Sequence, residues 1–273
     1  MTAGDLFQAG DLTGAIDAAT SQVRANPMDT SARWLLGEFL CFAGELERAD
    51  KQLEVIGNQD TQAVAVVSLF RQLIRAETAR QEFYQQGRVP EFFNDPGPAV
   101  NLALEASVYR RSDEFAVALD LAEKAEDARS AVGGECDEEA FSDLRDQDDL
   151  LSCVFEVCTP TGKYYHVPTD QVRSIVFRKT ERPRDLLWRP VEMDVINGPQ
   201  GEAWIPCLYF DSEQRSRDDL RLGRATDWLE EPGQPVRGIG QKMLWIGDAE
   251  KGIRDITEIR FDVAEAPVDA ISE

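Results

Sequence analysis

The sequence predicts an α+β protein in which an N-terminal half of stacked helical hairpins precedes a smaller, mostly antiparallel β-rich half. Two helix-forming segments near the N-terminus repeat at a fixed spacing, an acidic segment interrupts the chain near its middle, and short runs rich in Val, Phe and Ile follow it. We therefore expect a helical-repeat domain at residues 1–132, an acidic connector at 133–149 and a β-rich domain at 150–273.

A repeat of 34 residues predicts the first hairpins. The string GDLTGA at 10–15 recurs as GELERA at 44–49, and Pro27 falls between them where a tetratricopeptide-type repeat ends. Gly37 is small where two antiparallel helices must touch, and Gly44 fits the tight turn between them because glycine adopts a positive φ without strain. The alternative is two unrelated amphipathic helix pairs.

Three further helices are expected at 61–87, 98–110 and 114–129, where apolar residues recur at three- and four-residue spacing. Ala118 follows Ala49 by 69 positions, about two repeat lengths. The first half is therefore predicted to form three or four hairpins stacked in an arc. Such arcs present a concave face that commonly binds a peptide or a helix.

The chain changes character after an acidic segment at 135–149, which carries eight acidic residues and a single arginine. Short strands are expected in the segments that follow, at 151–158, 163–167, 172–178, 191–196, 203–210, 242–246 and 256–261. The string NGPQG at 197–201 is typical of a hairpin turn. These features predict a twisted antiparallel sheet or partial barrel, followed by a frayed acidic tail at 263–273.

The charge balance narrows the possible partners. The 273 residues include 51 acidic and 29 basic side chains, a formal net charge of -22. Such a surface repels phosphate backbones, so nucleic acid is not expected as a partner, and a basic protein surface is favoured instead.

Nothing in the sequence indicates export or a membrane. The first ten residues contain no basic side chain, and no apolar run approaches the roughly 18 residues that span a bilayer. The five cysteines are scattered, as expected for reduced thiols in a cytoplasmic protein.

The acidic segment contains the first candidate functional residues, Asp146, Asp148 and Asp149. Alternating carboxylates can bind Mg²⁺ or Ca²⁺, but the glycine and terminal glutamate of a calcium loop are missing. A structural or partner-facing role is therefore favoured. His166, the only histidine, is expected to be a packed, hydrogen-bonded residue, because no nucleophile pattern surrounds it.

A second candidate group, Arg184, Asp185, Trp188 and Arg189, lies in an arginine-dense string that resembles a small anion site. Guanidinium groups could bind a phosphate or carboxylate, but pairing with internal acids, either those at 146–149 or those at 218–219, is favoured.

The third candidate group lies in a loop in which Arg224 and Asp227 could pair beside Trp228. The string GIGQK at 238–242 lacks the Ser/Thr and the following helix of a phosphate loop, so a glycine-rich turn or bulge explains it better.

Several strings together resemble the ImpE/TagJ (SciE) family, whose members are accessory proteins of bacterial type VI secretion systems. They are FSDLRDQDDL at 141–150, YYHVP at 164–168, RDLLWRP at 184–190, IPCLY at 205–209, LGRATDW at 222–228 and GIGQK at 238–242. The resemblance covers nearly the whole chain, although a bulky aromatic would be more typical at His166. It implies a cytoplasmic adaptor that contacts the small subunit of the contractile sheath and associates with the AAA+ disaggregase that recycles contracted sheaths.

The predicted function is thus non-enzymatic: the helical arc binds an amphipathic helix of a sheath protein, with no catalytic residue, metal or cofactor. One alternative is a metal- or phosphate-dependent enzyme with a site between the two halves, built from the aspartates at 146–149 and the arginines near Trp188. A second alternative is that these acidic and basic residues simply join the two halves.

Overall fold

The computed structural model describes residues 1–262, so the predicted acidic tail at 263–273 lies outside the described residues. The helices of the first half are α1 (Ala3–Ala9), α2 (Leu12–Ala25), α3 (Thr30–Phe42), α4 (Leu46–Gln59), α5 (Val64–Gln86), α6 (Gly97–Arg111) and α7 (Phe115–Ala128). A β-rich region follows them, so the predicted α+β class is confirmed.

The repeat predicted from the sequence is present in α2 and α4. Each helix has 14 residues, and they begin at Leu12 and Leu46, 34 positions apart. The equivalent residues Ala15 and Ala49 are completely buried, as small side chains are where neighbouring helices touch. Gly44, in the turn before α4, has a φ of 72°, the left-handed conformation that glycine tolerates best.

Helix α5 departs from the repeat. It has 23 residues and ends at Gly87, whose φ of 77° closes the helix with a left-handed cap. Its first half buries apolar side chains such as Phe70 and Leu73, whereas its second half buries the charged residues Glu77 and Arg80. This change occurs because α5 passes from the helical core onto the β-rich half.

Helices α6 and α7 form a second antiparallel pair. The residues at their contact are mainly small and buried: Ala103, Ala106, Ala118, Ala122 and Ala125. The pair packs against Leu150 and Leu151, which lie just before the first long strand of the β-rich half.

The strands of the second half are β1 (Gly134–Cys136), β2 (Glu139–Phe141), β3 (Leu144–Asp146), β4 (Val154–Cys158), β5 (Tyr164–Pro168), β6 (Val172–Phe177), β7 (Trp188–Val195), β8 (Gln200–Pro206), β9 (Thr226–Leu229), β10 (Arg237–Gly240), β11 (Met243–Ile246), β12 (Ala249–Gly252) and β13 (Glu258–Phe261). A short helix, α8 (Asp218–Arg221), precedes β9.

Antiparallel pairing joins these strands into one large sheet and two small ones. The large sheet has eight strands in the order β2-β1-β13-β6-β7-β8-β4-β5, a three-stranded sheet has the order β12-β11-β3, and β9 pairs with β10. The turn predicted at 197–201 connects β7 to β8, and Asn197 takes the left-handed conformation there with a φ of 54°.

The segment 133–149, expected as an acidic connector, instead contains β1, β2 and β3. The turn between β1 and β2 places Asp137 and Glu138 at φ values of 51° and 71°. Glutamate rarely adopts this conformation, so the sequence carried no hairpin signal here. The Asp137 carboxylate compensates by accepting hydrogen bonds from the backbone N–H groups of Thr257 and Glu258. Strands β9, β10 and β12 were also not predicted.

The two halves share one hydrophobic cluster, and the β-rich half has a second cluster of its own. Side chains of α1 to α5 pack in a single cluster with Trp188, Trp204, Leu208 and Leu222 of the β-rich half. Part of the helical surface is therefore covered by the second half and is not open to a partner. Among the described helices, none is long and apolar enough to cross a lipid bilayer.

Candidate functional site: a buried charge network and an open helical groove

A glutamate in an otherwise apolar strand organises the interface between the halves. Glu156 of β4 is fully buried and accepts two hydrogen bonds from Arg80 of α5, from Nε at 2.8 Å and from Nη2 at 3.1 Å. Lys242 also donates to this carboxylate, as do the hydroxyls of Tyr84 and Tyr164. One carboxylate thus joins α5 to three segments of the β-rich half.

The two neighbouring cations, Arg80 and Lys242, determine the pKa of Glu156. Burial alone would raise the pKa of Glu156, but Arg80 and Lys242 outweigh it and hold this pKa well below its usual value. The group is therefore ionised inside the protein. Removing a single partner from such a buried ion pair leaves an uncompensated charge, which destabilises a protein strongly.

The network continues along α5 to the centre of the hydrophobic core. Arg80 also pairs with Glu77 at 3.1 Å and donates to the carbonyl oxygen of Leu208 at 2.9 Å. Glu77 in turn accepts a 2.9 Å hydrogen bond from the indole nitrogen of Trp188. The predicted residue Trp188 is thus buried, and its polar atom is satisfied by the helical half.

A second ion pair lies beside the first. Asp148 accepts from Arg237 Nε at 2.6 and 2.8 Å, and both side chains are buried. Asp146 accepts a 2.7 Å hydrogen bond from the Tyr209 hydroxyl and lies 3.9 Å from Lys242 Nζ. Burial raises the pKa of Asp146 to about 7, although Lys242 opposes the shift.

His166 is a member of the same network. The ring is buried, its Nε2 lies 2.7 Å from the hydroxyl of Tyr164, and Phe83 packs edge-on against it. Burial lowers the pKa of His166 to about 4, so the imidazole is neutral at physiological pH. The expectation of a packed, hydrogen-bonded histidine is confirmed.

The network satisfies its own charges and is closed to solvent, which identifies it as a structural join between the halves. Asp146 and Asp148 were predicted from the sequence as candidate residues, but Glu156 and Arg80 were not. The available signal was a single glutamate in the apolar string VFEVC at 154–158, because a charged residue in a buried strand requires partners. Its two cationic partners, Arg80 and Lys242, are 76 and 86 positions away, so no local pattern identifies them.

Asp149, the third predicted aspartate, has a more exposed environment. It lies 3.1 Å from Arg145 Nη2 and accepts a 2.7 Å hydrogen bond from the backbone N–H of Val236. It therefore holds the segment before β10 against the end of β3.

The arginine-dense string pairs with acids of the same chain, as expected, but the predicted partners at 146–149 and 218–219 were wrong. Arg182 forms a 2.7 Å ion pair with Glu38 of α3, and Arg184 stacks over the ring of Phe70, 4.9 Å from its centroid. The aspartates at 146–149 lie beside Arg237, Lys242 and Arg145 instead. Those at 218–219 pair with Arg221 and Arg217. The remaining predicted arginine, Arg189, donates instead to backbone carbonyls.

Arg189 and Asp185 have backbone partners. Arg189 Nη1 donates to the carbonyl oxygens of Ile253 and Arg254 at 3.0 and 2.7 Å. Asp185 accepts from the backbone N–H of Arg182 at 3.0 Å and closes a short helical turn. Both residues fix the path of the chain.

The third predicted group, Arg224, Asp227 and Trp228, does not form one site in the structure. Arg224 donates to the carbonyl oxygen of Phe7 in α1 at 2.7 Å, which ties the loop to the first helix. Asp227 pairs with Arg217 at 3.2 Å rather than with Arg224, and Trp228 lies 5.8 Å from the ring of Tyr209. The predicted pair of Arg224 and Asp227 is therefore not formed.

An open groove of about 970 Å³ lies between α4 and α5. Its floor contains Leu46, Val67 and Ile74, which are buried, and Val64 lies exposed at one end. The remaining lining residues are polar. They are Glu47, Asp50, Lys51, Glu54 and Asn58 on α4, and Ser68, Arg71, Gln72, Arg75, Thr78 and Glu82 on α5, with Gly57 and Arg88. The groove has an apolar floor between two charged walls.

Within residues 1–262, no group of three or more His, Cys, Asp or Glu side chains is placed to hold a metal ion. The five cysteines are buried and unpaired, and burial raises the pKa of each thiol.

Comparison with known proteins gives consistent results. The family described as ImpE protein matches residues 138–260. The "Type VI secretion system accessory component TagJ" of Pseudomonas aeruginosa is 32% identical over 266 residues, which cover 97% of this chain and 93% of that protein. The crystal structure of protein VPA1032 from Vibrio parahaemolyticus superposes with a TM-score of 0.90 at 27% identity and covers 96% of this chain and 98% of that one. The fold, the matched region and the near full-length relative agree with the motifs of the second half, and the chain belongs to the ImpE/TagJ family.

Proposed function

We propose that this chain is a non-enzymatic adaptor of a type VI secretion system, and that the groove between α4 and α5 holds a helix of its protein partner. The name of the Pseudomonas aeruginosa relative supports the assignment to a type VI secretion system. The observation that supports the binding mode is the open groove itself, which lies between α4 and α5 and has core residues of the helical half, Leu46, Val67 and Ile74, at its floor.

The dimensions of the groove suit a helix. Its wall α4 has 14 residues and is therefore about 21 Å long, enough to accompany several turns of a partner helix. The buried floor residues Leu46, Val67 and Ile74 provide the apolar surface on which an amphipathic helix places its apolar side chains.

The charges of the walls specify the partner further. Asp50 of the α4 wall and Arg71 of the α5 wall pair with each other at 2.7 Å, which leaves Glu47 and Glu54 on α4 and Arg75 on α5 to face a partner. A helix with basic residues along one border of its apolar stripe and acidic residues along the other would match both walls. The net charge of -22 additionally favours a partner with a basic surface.

The proposed partner is the small subunit of the contractile sheath, and the proposed site of action is the cytoplasm. A second part of the proposal is that the adaptor links this subunit to the AAA+ ATPase that recycles contracted sheaths. The buried thiols are consistent with a reducing compartment.

The geometry gives no support to the alternative enzyme. Its candidate carboxylates Asp146 and Asp148 are buried, and each accepts hydrogen bonds from side chains of the same network. Its candidate arginines are directed at Glu38, Phe70 and backbone carbonyls. Asp146, Asp148, Arg182 and Arg189 therefore all have partners within the protein.

Calorimetric titration of the full chain with the purified small sheath subunit tests the proposal. Val64 lines the groove and is 50% exposed, whereas Val108 of α6 is 49% exposed and lies outside it. Val64→Asp is expected to weaken binding about tenfold or more, since a charge replaces an apolar contact, and Val108→Asp should leave the affinity unchanged. Equal affinities for Val64→Asp and the unmodified chain would rule out the groove.

A further inference from the structure

The carboxyl group of Asp146 differs from its neighbours in the buried network because no cation is hydrogen-bonded to it. Glu156 accepts a hydrogen bond from Lys242, and Asp148 accepts from Arg237. Among residues 1–262, Lys242 is the only cation close enough to pair with Asp146, and its Nζ lies 3.9 Å from Oδ2. Asp146 is nevertheless only 4% exposed. A buried carboxylate without a bound cation is costly, so the protonated, neutral form is favoured.

The hydroxyl of Tyr209 lies between two acceptors but carries a single proton. Its oxygen is 2.7 Å from Asp146 Oδ1 and 3.1 Å from the carbonyl oxygen of Met243, and it accepts a 3.0 Å hydrogen bond from the Met243 N–H. The hydroxyl can donate to only one of these acceptors at a time. If Asp146 Oδ1 carries a proton, both contacts become hydrogen bonds, because the carboxyl group donates to Tyr209 and Tyr209 donates to the carbonyl.

We propose that Asp146 is a proton-linked switch in the join between the two halves. In the protonated state Asp146 donates to the Tyr209 hydroxyl, whose own proton is directed at the carbonyl oxygen of Met243. When Asp146 releases its proton to solvent, the hydroxyl of Tyr209 donates to the carboxylate instead. The Met243 carbonyl then keeps the 3.0 Å hydrogen bond from the N–H of Gln147. The switch therefore reverses the hydrogen bond between β3 and the segment that follows β8.

The surroundings of Asp146 set the pH at which the switch operates. The titratable and charged groups that face it, or that pair with those facing it, are Lys242, Asp148, Tyr209, Arg237 and Glu156. Burial is the main influence on the pKa of Asp146, which it raises. Lys242 opposes this effect, Asp148 adds to it, and the resulting pKa is about 7. Tyr209 stays neutral, because burial raises its pKa well above the usual value.

The switch has a defined effect on stability. The unfolded chain releases the Asp146 proton near the ordinary pKa of 3.8, whereas the folded protein keeps it until about pH 7. The folded state binds the proton more tightly, so the stability that this group contributes is complete below the unfolded pKa and is lost as the pH rises to 7. His166 acts in the opposite direction, so a variant of Asp146 is needed to isolate the effect.

NMR titration of the full chain, labelled with ¹³C at the aspartate carboxyl groups, tests the proposal. The carboxyl resonance of Asp146 should titrate with a midpoint of about pH 7. Tyr209→Phe should raise this midpoint by about 1 pH unit, because the carboxylate loses the hydroxyl that donates to it. A midpoint near pH 4, or a midpoint that Tyr209→Phe leaves unchanged, would overturn the proposal.

Asp146→Asn provides a second readout, because the amide retains a donor and an acceptor and imitates the neutral acid. Relative to this variant, the unfolding equilibrium constant of the unmodified chain should rise about 100-fold or more between pH 4 and pH 7.

Asp148→Asn is the matched control, since it leaves Arg237 buried without its counter-charge and should destabilise the protein strongly. If Asp146→Asn were as destabilising as Asp148→Asn at pH 6, Asp146 would be ionised and the proposal wrong. None of these measurements involves the groove between α4 and α5, so they are independent of the proposed sheath partner.

Discussion

Arg80 of α5 and Glu156 of β4 are 76 positions apart in the chain and form a bidentate ion pair that is almost completely removed from solvent. The pair lies where the helical half meets the β-rich half. Because Lys242 and two tyrosine hydroxyls share the same carboxylate, the interface is specified by charge as well as by apolar contact.

Breaking this pair is expected to destabilise the protein strongly. Arg80→Met should lower the free energy of unfolding by about 3–5 kcal/mol, because it leaves part of the Glu156 charge buried without a partner. Arg71→Met removes a similar pair with Asp50 that is largely exposed, and it should change stability by less than about 1 kcal/mol. Denaturant unfolding of the two variants measures both values, and equal effects would contradict the assignment of the network as the structural join.

The turn between α3 and α4 gives a second prediction. Gly44→Ala should destabilise the protein by about 1–2 kcal/mol or more, since the left-handed conformation disfavours a Cβ and the added atom would lie 2.7 Å from Glu213 Cγ. Gly37→Ala is the matched control, because the nearest atom there is 3.8 Å away and alanine favours a helix. Thermal unfolding should show a lower Tm for the first variant only.

The buried ring of His166 should make the free energy of unfolding depend on pH, and a single substitution can measure its contribution. Its pKa is about 4 in the folded protein and 6.5 as an ordinary side chain, so the unfolded chain binds the proton more tightly. The stabilisation from the neutral ring is therefore complete above pH 6.5 and is lost as the pH falls toward 4, by about 3 kcal/mol in total. His166→Gln retains a hydrogen-bonding group but not this titration.

The measurement is the difference in unfolding free energy between the unmodified chain and His166→Gln as a function of pH. Because His166 is the only histidine, the difference should be constant above pH 7 and should shift in favour of the variant on acidification. A difference that does not change between pH 7 and pH 4 would show that the buried imidazole does not titrate as described.

The shared core predicts that the two halves unfold together. Trp188 and Leu208 of the β-rich half complete the core of α1 to α5, so the helical half depends on the second half for its packing. The slowest-exchanging amides of α3 and β7 should therefore report the same free energy of opening in native-state hydrogen exchange. If α3 and β7 gave two different free energies of opening, and the value for α3 depended less on denaturant concentration, the halves would be independent domains.

The parts of the fold that were predicted correctly are those that short sequence patterns indicate. The repeat was visible because Gly44 and the buried Ala15 and Ala49 recur at a spacing that the chain itself displays. The hairpin at Asn197 was visible because asparagine followed by glycine suits a left-handed turn. Asp137 and Glu138 form a comparable turn without those residues, so the strands around them were missed.

The charge network could not have been predicted in the same way. The sequence analysis named Asp146 and Asp148 but paired them with the wrong arginines, because nearness in sequence does not determine which cation reaches a buried carboxylate. Arg237 is 89 positions from Asp148 and becomes its partner only through the arrangement of β3, β10 and β11. A buried glutamate such as Glu156 signals that partners exist but does not identify them.

Site-specific photocrosslinking tests the central claim most directly. A photoreactive amino acid placed at Ser68, which is exposed within the groove between α4 and α5, should crosslink to the small sheath subunit in the assembled secretion system. The same group placed at Asn101, exposed on α6 and outside the groove, should not. Crosslinks from Asn101 but not from Ser68 would contradict the assignment of the groove as the partner-binding surface.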